Sequence, residues 1–316
     1  MRCLITGLNG QLGHDLAQEL KGRGWQVIGS GSKESYSGLP DLCGIDYARM
    51  DIRDKGAAEA LIRAYRPDAV AHCAAWTAVD AAQQQPEQAE AVNIQGTENI
   101  AAACRELGCK LLYISTDYVF NGSGERPWQP SDEPDPINVY GRTKLAGEQL
   151  CRSLVEKLFI IRTSWVFGSN GKNFIRTMLG LRDREALQVV DDQIGRPTYT
   201  RDLARLAADM LKTESYGLYH ASNTGPYISW KQLAEAVFQR TGGGPEVKGI
   251  STERYAAPAP RPHNSRLDHA ALEQAGFLPL PPWQEALDRY LKEIGVYSGD
   301  GKDNSYTGPD RGSVYN

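Results

Sequence analysis

The chain has 316 residues, of which 41% are hydrophobic and 23% charged, and a net charge of −4. That length suits one large α/β unit with an elaborated lobe, or two domains, in an ordinary globular composition. The acidic balance and the absence of a long basic run exclude a nucleic-acid binder, and no apolar run is long enough for a membrane span; a small anionic ligand stays compatible, since it needs only a few local cations.

The sequence enters a strand at Arg2, before a signal-like apolar core could form. Cys3, Cys43, Cys73, Cys104, Cys109 and Cys151 show neither CxxC pairs nor a histidine at metal spacing. They read as reduced, mostly buried side chains of a cytoplasmic protein, with no zinc site. The first strand runs into Gly7-Leu8-Asn9-Gly10-Gln11-Leu12-Gly13 and then the helical pattern HDLAQELKGRG. Glycines at this spacing between a strand and a helix tighten the turn and bring backbone N–H groups close to a pyrophosphate. A plain glycine-rich βα turn would look the same. On the functional reading, Gly7, Asn9, Gly10, Gln11, Leu12 and Gly13 hold a dinucleotide.

The second strand, Trp25 to Ser30, ends in Ser30-Gly31-Ser32-Lys33, with no carboxylate for a ribose 2′-hydroxyl. Hydroxyls and a cation there suit a 2′-phosphate, so NADPH is expected in preference to NADH, with a solvated loop lysine as the alternative. Asp51 and Ile52 follow the next short strand and are placed to reach an adenine amino group; a helix N-cap at Asp51 or Asp54 is the competing reading. The run Ala69 to Ala75 then reads as a strand ending in small residues. Cys73, Ala74 and Ala75 would let a cofactor pass close to the backbone, and His72 reads as an interior residue. Asn93 lies in a helix running to Leu107, and a further repeat delivers the strand Leu111 to Ile114 with Ser115 and Thr116 at its end. This alternation specifies an α/β fold with a Rossmann-type doubly wound parallel sheet.

A helix over Val139 to Leu150 places Tyr140 and Lys144 on one face. A tyrosine that donates a proton near neutrality needs its pKa of about 10 lowered, which an ammonium in a poorly hydrated cleft can supply. Taken alone, the same spacing fits an amphipathic helix with a half-buried tyrosine. Beyond it come a strand at Ile160 to Arg162, a helix at Phe174 to Gly180, and a segment, Val189 to Thr198, that heads back toward the sheet. A helix at Arg201 to Lys212 and a strand at Leu218 to His220 follow. Helices Trp230 to Arg240 and Trp283 to Ile294 flank an irregular loop, Tyr255 to Ser265. Arg261 in that loop, and Arg196 before it, are candidates for gripping a diphosphate; a solvated arginine is the alternative for each. The expected division is a dinucleotide domain at 1–163 and 196–220, a smaller, mostly helical substrate lobe at 164–195 and 221–296, and an unstructured tail at 297–316.

Taken in order, TGLNGQLG at 6–13, CAAWTAVDAA at 73–82, STDYVFNG at 115–122 and YGRTKLAGE at 140–148 resemble the extended short-chain dehydrogenase/reductase superfamily. RTSWVFG at 162–168, DQIGRPT at 192–198 and RPHNSRLD at 261–268 narrow the resemblance to its dTDP-4-dehydrorhamnose reductase branch. The resemblance implies that Tyr140 is the general acid, that Lys144 binds the nicotinamide ribose and lowers the tyrosine's pKa, and that Thr116 bonds the same sugar oxygen. It implies that Trp165 contacts the sugar, that Asp117 accepts from a sugar hydroxyl, and that Asn93 orients the helix or a water relay behind Lys144. Dehydratases of this fold carry Asp-Glu after the catalytic threonine; here Tyr118 follows Asp117, which favours simple ketone reduction. The implied substrate is a dTDP-sugar, dTDP-4-dehydro-L-rhamnose first. Another 4-keto deoxysugar nucleotide, or a non-catalytic regulatory subunit, is the alternative. A homodimer and Mg2+ near Asp15, Asp191 and Asp192 are compatible with the resemblance; helix caps and surface charge explain these carboxylates equally well, and no metal site is assigned.

Overall fold

The computed structural model describes residues 1–39, 42 and 44–299. Most of the tail expected at 297–316 lies outside the described residues. The first half alternates strand and helix: β1 (Arg2–Thr6), α1 (Gln11–Gly22), β2 (Gln26–Gly31), β3 (Asp46–Arg49), α2 (Lys55–Tyr65) and β4 (Ala69–His72). Two short helices, α3 (Val79–Gln84) and α4 (Pro86–Glu90), lead through a π-turn at Ala91–Gln95 into α5 (Gly96–Leu107). Then come β5 (Lys110–Thr116), a single 3₁₀ turn at Asp117–Val119, α6 (Val139–Leu154) and β6 (Leu158–Thr163).

The second half is built from shorter pieces: β7 (Val166–Phe167), α7 (Phe174–Gly180), β8 (Ala186–Val190), β9 (Ile194–Gly195), β10 (Thr198–Tyr199), α8 (Thr200–Leu211) and β11 (Gly217–His220). It continues with β12 (Asn223–Thr224), β13 (Ile228–Ser229), α9 (Trp230–Arg240), β14 (Glu246–Ile250) and α10 (Thr252–Tyr255). The last described elements are α11 (Ala270–Gln274), β15 (Leu280–Pro282) and α12 (Trp283–Glu293).

Seven strands form one parallel sheet in the order β11-β6-β5-β4-β1-β2-β3. From β1 the chain winds first through β2 and β3, then reverses through β4 to β11. The reversal opens a crevice between the carboxyl ends of β1 and β4, where ligands of doubly wound sheets bind. The central strands are buried on both faces, so they read as unbroken apolar runs such as Leu158 to Ile161. One core layer joins α1 and α8 to the sheet through Leu16, Leu20, Phe159, Leu203 and Leu211; the other joins α2, α5 and α6 through Ile62, Ile100, Leu111 and Cys151.

A separate core of Phe167, Tyr199, Val237, Trp283 and Tyr290 holds the second lobe together. The segment Val189 to Thr198, which leads back toward the large sheet, does not itself join it. Its residues pair within the lobe, β8 with β14, β9 with β13 and β10 with β7. The return is completed by α8, which packs on α1, and by β11, which joins the large sheet. Conversely Leu272, Phe277 and Leu280, in the stretch assigned to the lobe, join the core under the main sheet.

Candidate active site

Tyr140, Lys144 and Thr116 line one cavity of about 420 Å³ together with Gln11, Leu12 and Gly13 of the glycine-rich turn. Its walls also carry Cys73 and Ala75 from the end of β4 and Asp117, Trp165 and Trp230. Each group arrives there for a local reason. Thr116 is the last residue of β5, and its hydroxyl accepts from the Tyr118 backbone N–H at 3.2 Å, capping the 3₁₀ turn. The helix α6 starts at Asn138, whose side chain accepts from the Gly141 N–H at 2.8 Å. Gly141 is obligatory, because a Cβ there would sit 2.1 Å from the Tyr118 carbonyl oxygen. That close approach brings Tyr140 edge-on to the Tyr118 ring, 5.8 Å between centroids.

The charges in this pocket are poorly hydrated. Lys144 is 3% exposed, its ammonium lies 4.1 Å from the centroid of the Tyr113 ring, and burial pushes its pKa down to about 8. The Tyr113 hydroxyl donates to the Lys144 carbonyl at 3.2 Å, fixing this turn of the helix. Burial raises the Tyr140 phenol, and the neighbouring Asp117 charge raises it further, while the Thr116 hydroxyl beside it opposes the shift. Tyr140 is thus raised rather than lowered in this arrangement, in which the Lys144 ammonium faces the Tyr113 ring. Asp117 is 3% exposed and its carboxyl is raised to about 6 by burial, against hydrogen bonding from Ser265, Thr116 and backbone N–H groups.

The glycine-rich turn is closely packed. Gly7 adopts φ +72°, and a Cβ there would lie 2.7 Å from the Ala74 nitrogen; one at Gly13 would lie 2.3 Å from the Gly7 carbonyl oxygen. Gly10, the N-cap of α1, has no side chain to cap the first turn.

A family model described as RmlD substrate binding domain matches residues 1–296. The chain is 41% identical to dTDP-4-dehydrorhamnose reductase of Streptomyces griseus, over 90% of this chain and 91% of that one. It is 37% identical to dTDP-4-keto-6-deoxy-D-glucose reductase of Streptomyces niveus, over 90% and 95%. The chain belongs to the dTDP-4-dehydrorhamnose reductase family. Among solved structures, dTDP-4-dehydrorhamnose reductase of Bacillus anthracis in complex with NADP superposes with a TM-score of 0.85 at 39% identity, covering 92% of this chain and 99% of that one.

Within this family framework, the other sequence-predicted residues fall into different settings. Ser30 differs from expectation: it is fully buried, and its hydroxyl donates to the Ile5 carbonyl at 3.4 Å, so it does not face a 2′-phosphate. The exposed groups at that strand end are Ser32 and Lys33, whose ammonium donates to Ser37 at 3.0 Å. Asn9 is tied to the same stretch, accepting from the Ser37 N–H at 2.9 Å. Asp51 is held by a two-pronged contact from Arg53, which keeps its carboxyl below the usual range. Asp54 is the N-cap of α2, while Ile52 is buried against Gly96. Ala74 donates its N–H to Thr6 at 3.1 Å at the crevice floor.

Asn93 is a structural clip. Its amide donates to the Trp76 carbonyl at 3.1 Å and the Thr143 hydroxyl at 3.0 Å, and its oxygen accepts from the Trp76 N–H at 2.8 Å. Arg261 is paired with Asp80 by contacts of 3.0 and 2.8 Å, which latch the 256–265 loop to α3. The Arg196 guanidinium lies 3.7 Å from the Tyr227 ring centroid, and its buried Nε makes no hydrogen bond. Trp165 takes φ +49° and stacks on Trp230 at 3.8 Å between ring centroids. A left-handed backbone at a bulky residue is strained, and such strain is concentrated at ligand sites.

Asp15, Asp191 and Asp192 do not converge: Asp15 accepts from Thr200, Asp191 from Ser229 and Asp192 from Thr252. Among the described residues, Asp192, Glu253 and His263 bring ligand atoms within 4.8 Å of one another at the surface. Sequence reasoning missed Tyr118, Trp230 and Ser265 as parts of the site. Trp230 reads simply as the start of a helix, and Ser265 is an unmarked loop serine until the loop folds over Asp117.

Proposed function

We propose that this protein reduces the C4 ketone of dTDP-4-dehydro-L-rhamnose to dTDP-β-L-rhamnose with NADPH, in a Tyr140, Lys144 and Thr116 centre. The observation that carries this reading is the convergence of those three side chains and the glycine-rich turn on one cavity. The uncapped start of α1 and the close-packed Gly7 and Gly13 fit a pyrophosphate, and bound NADPH supplies the hydride. Tyr140, whose raised pKa keeps it protonated through neutrality, gives its proton to the ketone oxygen. Thr116 steadies the resulting phenolate, and the Lys144 ammonium, buried on the same wall, favours negative charge in the cavity. Trp165 and Trp230 present an aromatic surface for the sugar or base.

The test is oxidation of NADPH with the keto sugar nucleotide, followed by absorbance. Tyr140→Phe should lower kcat by roughly 10²- to 10⁴-fold while still binding NADPH; near-full turnover by that variant would end the general-acid assignment. A second reading keeps the chemistry and changes the sugar, and the Streptomyces niveus relative, named for a dTDP-4-keto-6-deoxy-D-glucose, favours testing it. The ratio of kcat/KM on the two substrates decides between them.

A further inference from the structure

A reductase of this kind must return a proton to its tyrosine after every turnover. One route would run behind Lys144 through Asn93. Here both amide hydrogens of Asn93 are already donated, to the Trp76 carbonyl and the Thr143 hydroxyl. On the opposite side of Tyr140, the Thr116 hydroxyl is 3.0 Å from Asp117 Oδ1 and lies beside the Tyr140 phenol. Thr116 Oγ1 also accepts from the Tyr118 N–H, leaving it one further lone pair and one hydrogen.

Asp117 is an unusual carboxylate for its setting. It is almost wholly buried, and its Oδ2 has no hydrogen bond of normal length. The groups facing it are Tyr118 on its own turn, Tyr140 on α6 and the Ser265 hydroxyl from the overlying loop. The nearby cations are committed elsewhere: Lys144 lies over the Tyr113 ring and Arg261 is paired with Asp80. An unpaired, buried carboxylate favours its neutral form.

We propose that Asp117 is the proton reservoir for Tyr140, acting through the Thr116 hydroxyl. This rests on Tyr140 being the general acid. When Asp117 is neutral, its O–H donates to Thr116 Oγ1, and Thr116 turns its own hydrogen toward Tyr140. After Tyr140 has protonated the ketone oxygen, the Thr116 hydrogen passes to the phenolate and the Asp117 proton passes to Thr116. Asp117 is left ionised, and water in the open cavity reprotonates it. One solvent proton is consumed per ketone reduced, and no other reactant is needed. Ionised Asp117 instead holds the Thr116 hydrogen for itself and adds a negative charge beside Tyr140, so turnover falls as Asp117 loses its proton. Asp117 thus positions and reloads the acid without touching the substrate's reacting oxygen.

The experiment is the pH dependence of kcat from about pH 5 to pH 9, with NADPH and the keto sugar nucleotide saturating. The wild type should show a limb falling as pH rises through the Asp117 titration near 6, separate from a higher one for Lys144 near 8. Asp117→Asn should abolish the lower limb, keep the upper one and reduce kcat by roughly 10²-fold, with NADPH still bound. Ser265→Ala, which removes a donor to the charged carboxylate, should move the lower limb to higher pH and guards against misfolding of the Asn variant. Persistence of the lower limb at an unchanged pH in both variants would overturn the proposal. Full turnover by Tyr140→Phe would instead remove the reading on which it rests.

Discussion

Removing Arg162 should unlatch the floor of the active site. Arg162 and Glu148 are each 1% exposed, and the guanidinium bonds the carboxylate at 2.9 and 2.7 Å. The Ser115 hydroxyl donates to the same carboxylate at 2.5 Å, so the end of β5, with Thr116 next to it, is tied to α6 one turn after Lys144. In Arg162→Met the Glu148 charge keeps Ser115, while its nearest other cation, Arg152, stands 4.0 Å away and half exposed. Breaking a buried pair on one side costs about 3–5 kcal/mol, a large share of the roughly 5–15 kcal/mol that holds a protein folded. Replacing both partners, Glu148→Leu with Arg162→Met, should recover most of that loss, since the desolvation cost of two charges disappears with them. Urea unfolding of the single and double variants gives the coupling energy, and NADPH oxidation reports the displacement of Thr116. A loss below about 1 kcal/mol in Arg162→Met, the range of exposed pairs, would refute the reasoning.

Gly13→Ala should raise the KM for NADPH by roughly tenfold or more with little effect on the sugar nucleotide, because the added carbon lands on the Gly7 carbonyl and deforms the phosphate turn. Arg261→Ala and Asp80→Ala separate a latch from a ligand: both should raise the KM for the sugar nucleotide if the pair fastens the 256–265 loop, whereas Asp80→Ala should lower it if Arg261 grips the diphosphate. Stability should fall as pH drops below about 6.5, because burial lowers His72 and His220 to about 3 and His269 to about 4. These three bind protons in the unfolded chain before the folded one, so their contribution is complete above pH 6.5 and lost toward their folded values. Asp117, raised to about 6, acts in the opposite sense between about 4 and 6 and offsets one of them. Urea midpoints that stay flat from pH 7 to pH 5 would contradict this balance.

Local sequence settled the parts of this protein that depend on short-range rules. The alternation of apolar runs with helical periods gave the parallel sheet, because β1, β4 and β5 are buried on both faces and need βαβ crossovers. Glycine at 7 and 13 marked the tight turn between β1 and α1, because a side chain at either would run into neighbouring backbone. Helical spacing put Tyr140 and Lys144 on one face, but it took the ordered motifs around them to give the pair an expected role. The short strands within Val189 to Thr198 were not legible, because they find partners at β14, β13 and β7, which local pattern does not specify.

What only the tertiary structure decided is where charge and hydroxyl groups end up. Burial turned Ser30 inward, gave Arg261 to Asp80 and set Lys144 over Tyr113, and none of these follows from residue type or spacing. The same holds for Asp117. In the sequence it is a carboxylate after a threonine. Folding withholds a cation from it and lays Ser265 across it, and a carboxyl's proton affinity is set by such surroundings rather than by its neighbours in the chain.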